Sequence, residues 1–139
     1  MKPARTLLLV VAFVAAGCSS SGTSLGSKLA FSQKDYSITP ATASAPAGNV
    51  KISVKNTAGQ DHEFVVFRTD LDPAKLPLTS DGSQIDEAGA GVTRVAELEA
   101  INPSKTKTLD VKLDPGRYVM VCNIPTHYGL GMHTVVTVL

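Results

Sequence analysis

The most informative stretch of this sequence is residues 122–132, CNIPTHYGLGM, which place a cysteine, a histidine and a methionine in one short loop. Four residues separate Cys122 from His127, and four more separate His127 from Met132. Proline and glycine favour turns, so Pro125 and the two loop glycines let the chain fold back on itself. We therefore expect the three side chains to converge on one point.

The residues outside this loop are typical of β-strands. Residues 50–54 and 109–113 alternate apolar and polar side chains with the period of two that a half-buried strand shows. Further strands are predicted at 30–38, 62–67, 92–98, 117–122 and 134–139, and a long connection with one helical turn around 72–76 is predicted over 70–83. About seven to eight short strands without a long helix predict an all-β fold, an antiparallel Greek-key β-sandwich.

A distant strand is predicted to bring a fourth side chain to the loop. His62 begins the predicted strand 62–67, directly after a turn. Side chains two residues apart share a strand face, so Phe64 points to the core on the same side as His62. His62 should then lie at the end of the core-facing surface. Met120, two residues before Cys122 on one strand, is assigned to the core instead.

The donor types of these four residues select a metal. One thiolate, two imidazoles and one thioether form a soft nitrogen–sulfur set, which suits copper better than magnesium or calcium. Structural zinc sites usually carry two or more cysteines and rarely a methionine. A His₂Cys plane with a weak axial Met is the blue-copper arrangement. The sequence therefore predicts one copper ion, Cu(I) or Cu(II), at His62, Cys122, His127 and Met132.

At this point the chain resembles the cupredoxins, the family of plastocyanin, azurin, auracyanin and sulfocyanin. The resemblance is carried by the C-x4-H-x4-M loop, by His62-Glu63-Phe64 and by the approach LDPGRY at 113–118, and it covers residues 28–139. The loop spacing is most similar to the auracyanin- and sulfocyanin-like branch. The resemblance implies a type 1 copper protein, with Met132 as axial ligand, that carries single electrons and is not an enzyme.

One residue departs from the family pattern. Cupredoxins often have Asn after the first ligand histidine, where it braces the ligand loop, but this chain has Glu63. An ionised carboxylate only accepts hydrogen bonds, so the Glu63 side chain cannot donate to the thiolate, although its backbone N–H can. The Glu63 charge itself is expected to be solvated. Asn123 is the candidate that braces the loop instead.

The resemblance also implies where electrons enter and leave. In the family this is usually the edge of the loop histidine, here His127. Together with Tyr128 and Leu130, His127 is predicted to form a small docking patch for transient redox partner proteins. Two other functions remain open: a copper carrier or storage protein without electron transfer, and a metal-free sandwich used for adhesion or assembly.

The amino end is predicted to be an export signal. Lys2 and Arg5 precede an apolar run too short to span a bilayer, and small residues lead to Cys18. The interpretation is a signal peptide over 1–17, a lipidated Cys18 with a flexible tether over 18–27, and a copper-binding domain over 28–139. It places the protein in the bacterial cell envelope, periplasmic or at the outer face of the cytoplasmic membrane. Ordinary cleavage and a disulfide between the two cysteines are the alternatives.

Composition excludes one class of partner. The chain has 13 basic and 12 acidic residues, and only 5% of its residues are aromatic, with no Trp. Nucleic-acid binding needs a basic surface or stacking platforms, so no nucleic acid is expected as a partner. We expect a monomer.

Overall fold

The computed structural model describes residues 26–139, which form nine strands and no helix. The predicted signal peptide and the predicted lipidated Cys18 lie outside the described residues. Within the described part of the chain, no helix is long and apolar enough to cross a bilayer. The strands are β1 (Ser27–Lys34), β2 (Ser37–Pro40), β3 (Ser44–Ala45), β4 (Gly48–Asn56), β5 (His62–Arg68), β6 (Thr93–Ile101), β7 (Thr106–Leu113), β8 (Gly116–Val121) and β9 (His133–Val138).

The strands form two sheets that pack as a sandwich. One sheet has the order β2-β1-β4-β7 and the other the order β3-β9-β8-β5-β6. The predicted all-β sandwich is confirmed, but both sheets are mixed and not purely antiparallel. Strand β1 pairs with β4 in parallel, and the two-residue β3 pairs with β9 in parallel.

Two local predictions were wrong. The single strand expected over 30–38 is a hairpin of β1 and β2, because the chain reverses at Asp35 and Tyr36, where Tyr36 has a φ of 60°. This division and the short β3 bring the number of strands to nine. The helical turn expected around 72–76 is an isolated turn, closed by the Lys75 N–H donating to the Asp72 carbonyl at 2.9 Å.

Strand β5 is buried on both faces, which explains its nearly continuous apolar sequence. Phe64 and Val66 lie in the core between the two sheets, as the alternation predicts. Val65 and Phe67 point the other way, into a second apolar cluster that includes Leu76 and Ile85 of the long connection (residues 69–92). The long connection therefore covers the outer face of the second sheet and lies beside the end of the sandwich that carries the 122–132 loop.

Candidate metal centre

The loop between β8 and β9 is closed by its own backbone. The Cys122 N–H donates to the Met132 carbonyl at 3.1 Å, and the Met132 N–H donates to the His127 carbonyl at 3.1 Å. Gly131 has a φ of 99°, a left-handed conformation in which glycine avoids the strain of a side chain. These contacts hold the three sequence-predicted loop residues at one end of the sandwich.

The structure brings His62 to this loop. The Cys122 Sγ lies 3.8 Å from Nδ1 of His62 and 3.3 Å from Nδ1 of His127. The donor atoms of the three residues all lie within 4.8 Å of one another, and the two imidazole centroids are 5.2 Å apart. All three side chains are buried, and Met132 is buried in the same core cluster as Cys122. Both rings thus present the same nitrogen, Nδ1, to one sulfur.

Burial sets the protonation of the donors. Burial lowers the pKa of His62, and the neighbouring His127 lowers it further, while Asp35 and Asp61 act in the opposite direction. Burial also lowers the pKa of His127. Neutral imidazoles with free nitrogen lone pairs are therefore favoured, as metal binding requires. Burial raises the pKa of the Cys122 thiol, so the metal-free thiol keeps its proton until a cation displaces it.

The expected backbone donor to the sulfur is present. The Glu63 N–H donates to the Cys122 Sγ at 3.3 Å, which confirms the prediction made for this amide. The Glu63 carbonyl accepts a hydrogen bond from Nε2 of the fully buried Gln33 at 2.7 Å. Gln33 therefore fixes the backbone from which the sulfur receives its hydrogen bond. It was not predicted from the sequence, since only the parallel pairing of β1 with β4 brings it near β5.

The Glu63 side chain is not the solvated charge that the sequence suggested. It is half-buried, and burial, together with a hydrogen bond and repulsion from Glu97, raises its pKa to about 8. Burial and the neighbouring carboxyl groups therefore favour the protonated, neutral form of Glu63 at neutral pH.

Asn123 braces the ligand loop, as predicted for it. Its side chain is buried and accepts a hydrogen bond from the Ile85 N–H at 2.7 Å, and its Nδ2 donates to the Ile85 carbonyl at 3.2 Å. The Asn123 Nδ2 also donates to Glu87 Oε1 at 3.0 Å, and Nε2 of Gln84 donates to the Asn123 carbonyl at 2.6 Å. The long connection thus holds the backbone next to Cys122.

The surroundings of His127 differ from the predicted docking patch. Leu130 is 56% exposed, but Tyr128 is only 7% exposed, because its hydroxyl donates to the Pro73 carbonyl and accepts from the Leu76 N–H. Tyr128 has little surface left for a partner. Tyr36, which the sequence did not single out, is 40% exposed and packs edge-on against His127 with ring centroids 5.4 Å apart.

The donor set fits copper. A buried thiolate and two Nδ1 atoms offer three strong soft or intermediate donors, and the buried Met132 supplies a thioether in the same loop. Magnesium and calcium require mainly oxygen ligands, and no carboxylate belongs to this cluster within residues 26–139. His133 stands apart from it, with its ring 5.5 Å from that of Tyr128.

Comparison with solved structures finds the same fold in two auracyanins and in rusticyanin. Auracyanin from Roseiflexus castenholzii is 22% identical, with a TM-score of 0.60 over 82% of this chain and 98% of that chain. Auracyanin A from Chloroflexus aurantiacus, a "blue" copper protein, is 19% identical, with a TM-score of 0.56 over 81% of this chain and 98% of its own. Rusticyanin from Thiobacillus ferrooxidans is also 19% identical, with a TM-score of 0.54 over 81% of this chain and 76% of its own.

The sandwich and its buried His–Cys–His cluster define a cupredoxin, of the auracyanin- and sulfocyanin-like kind that the sequence predicts. The sulfocyanin (SoxE) domain model matches residues 9–139, and the chain belongs to this family. A search of curated proteins gave no significant match.

Proposed function

We propose that this protein binds one copper ion through His62, Cys122, His127 and Met132 and works as a one-electron carrier. The single observation that supports it most is the position of the Cys122 Sγ within 3.8 Å of Nδ1 of both histidines, in a buried cluster. Membership of the sulfocyanin family supports the same function.

The residues of this chain would keep the site rigid while its charge changes. When bound, copper supplies the chemistry, the reversible gain and loss of one electron. Cys122 and Met132 are held through backbone hydrogen bonds, and Asn123 fixes the loop from outside. Burial excludes water from the donor atoms, so little solvent has to reorganise when the charge changes. We infer no enzymatic reaction, because four protein donors leave no position for a substrate.

The test is the spectrum of the copper-loaded domain. Protein comprising residues 26–139 should bind one Cu(II), show an intense visible absorption band with a type 1 spin-resonance signal, and cycle reversibly by one electron. A copper carrier or storage protein would instead release copper readily to a chelator and lack reversible cycling. Stoichiometric colourless copper would contradict the electron-carrier proposal.

We also propose that redox partners dock beside His127, through Leu130 and Tyr36. Both side chains are exposed next to a histidine that is itself nearly covered. A small apolar contact of this kind suits weak, transient complexes, which a carrier needs in order to exchange partners quickly. Tyr128 is buried against the long connection and is not part of the proposed contact.

Leu130→Asp tests this docking surface. A charge at the contact adds repulsion and desolvation, so electron self-exchange between Cu(I) and Cu(II) copies should slow by about tenfold or more, equivalent to about 1.4 kcal/mol. The rate is measured from NMR line broadening in mixtures of the two oxidation states, at fixed ionic strength.

Leu139→Asp is the matched control for this variant. Leu139 is 74% exposed and follows β9, which begins at the ligand loop and runs away from it. The self-exchange rate of Leu139→Asp should match that of the wild type. The visible spectra of both variants should also match the wild-type spectrum. Equal rates for Leu130→Asp and Leu139→Asp would disprove the docking surface.

Export and lipid attachment at Cys18 remain proposals that rest on the sequence of residues 1–18. They would place the copper centre in the cell envelope, tethered to the membrane surface by a chain of small polar residues.

A further inference from the structure

The second nitrogen of the His62 ring has no partner. Nε2 of His62 is buried and makes no hydrogen bond to any residue of 26–139. Its Nδ1 faces the Cys122 sulfur, so Nδ1 is the atom available to a metal. A neutral imidazole that ligates through one nitrogen carries its proton on the other. The Nε2–H is then a buried donor, and leaving a buried donor unpaired is costly.

One carboxylate lies close to this nitrogen. Oδ1 of Asp35 is 3.9 Å from Nε2 of His62, and the Asp35 side chain is 53% exposed, whereas that of His62 is fully buried. Nε2 of Gln60 donates to the same Oδ1 at 3.3 Å, which restrains the carboxylate beside the ring. The half-exposed Asp35 side chain needs a movement of only about 1 Å to reach hydrogen-bond distance.

The tip of the β1–β2 hairpin lies close to both histidines. Asp35 and Tyr36 form the two-residue tip of the β1–β2 hairpin. Tyr36 packs on the His127 ring while Asp35 approaches the His62 ring. The left-handed φ of 60° at Tyr36 is unusual for a residue with a side chain, and it directs the hairpin tip over the metal centre.

We propose that Asp35 is the hydrogen-bond acceptor of the His62 Nε2–H and is thereby a positioning residue of the copper centre, which makes the β1–β2 hairpin part of the site. The inference rests on the proposed function, since it concerns the ring as a copper ligand. Acceptors of this type fix the tautomer and orientation of ligating histidines in metal sites generally.

Two other groups compete for this role. Asp61 is near enough to influence the His62 ring, but its Oδ1 accepts from Nδ2 of Asn102 at 3.1 Å. Oε1 of Gln33 is the other buried side-chain atom without a partner in the described residues, while the Nε2 of the same amide is held by the Glu63 carbonyl. Variants at these positions separate the three possibilities.

The experiment follows the ring proton of His62 in the diamagnetic Cu(I) protein, labelled with ¹⁵N. Asp35→Ala should accelerate exchange of the His62 Nε2–H with water by about tenfold or more and shift its resonance, because the acceptor is lost. Asp35→Asn keeps an acceptor oxygen without the charge and should restore exchange close to the wild-type rate. The Nε2–H of His127 should be unchanged in both variants.

Asp61→Ala is the matched control, since it removes a nearby carboxylate that makes a different hydrogen bond. Its His62 ring proton should behave as in the wild type. Equal exchange rates of the His62 ring proton in Asp35→Ala and Asp61→Ala would overturn this inference alone. The same conclusion would follow if Gln33→Met accelerated the exchange and Asp35→Ala did not. Wild-type protein that takes up no copper would overturn the proposed function and this inference with it.

Discussion

Replacing Cys122 with serine is expected to abolish the intense visible absorption of the copper-loaded protein. The band of a blue copper site depends on the thiolate, and the Cys122 Sγ lies within 3.8 Å of Nδ1 of both histidines. A serine hydroxyl is a hard, neutral donor that suits copper poorly in this buried set. Copper affinity should fall by more than about 100-fold, since changes outside the ligand set already cost 10- to 100-fold. Optical titration with Cu(II) measures both effects.

Cys18→Ser in the full chain is the matched control, because the sequence contains only two cysteines. It should retain the band, the stoichiometry and the affinity of the wild type. A Cys122→Ser variant that kept the visible band would remove Cys122 from the site and, with it, the proposal of a type 1 centre.

Replacing Asn123 with alanine is expected to destabilise the metal-free domain by about 2–4 kcal/mol. The substitution removes two hydrogen bonds to the Ile85 backbone and one to Glu87, and leaves the buried Ile85 N–H without its acceptor. A lost net hydrogen bond costs about 1 kcal/mol, and a buried unsatisfied donor about 1–3 kcal/mol. The free energy of unfolding, from urea titration of residues 26–139, measures the loss.

Asn102→Ala provides the comparison for this effect. Asn102 is exposed and donates one hydrogen bond to Asp61, so its loss should cost less than about 1 kcal/mol. Asn123→Ala should also broaden the spin-resonance signal of the copper form, because the backbone next to Cys122 is freed from the long connection. Similar unfolding free energies in the two variants would mean that Asn123 does not brace the loop.

The proposals at the metal centre depend on one another in a defined order. The ligand set decides whether copper binds. Asn123 and the backbone hydrogen bonds decide how rigidly the loop is held, and Asp35 affects only the orientation of the His62 ring. A failure of the Asp35 experiment leaves the ligand set intact, whereas a failure at Cys122 removes the basis of all three.

Some features of the structure around the metal centre could not be predicted from the sequence patterns. The sequence predicts one strand over 30–38, whereas the chain reverses at Asp35 and Tyr36 and forms a hairpin of two strands. The sequence predicts a solvated Glu63, since charged residues usually are, but burial and then the charges of other glutamates, chiefly Glu97, raise its pKa. Tyr128 is predicted to belong to the docking patch because it lies beside His127 in the ligand loop, yet the long connection covers it.

The sequence by itself determined the all-β class, the alternation of Phe64 and Val66 toward the core, and the grouping of Cys122, His127 and Met132 in one loop. These features are local: strand periodicity and short ligand spacing are set by neighbours along the chain. Only the tertiary structure decided that Asp35 and Tyr36 lie beside the two imidazoles, that Gln33 holds the Glu63 carbonyl, and that Asn123 is held by a segment 38 residues away. Those contacts arise from the order in which strands pair and from packing of the long connection, which are non-local and leave no periodic trace in the sequence.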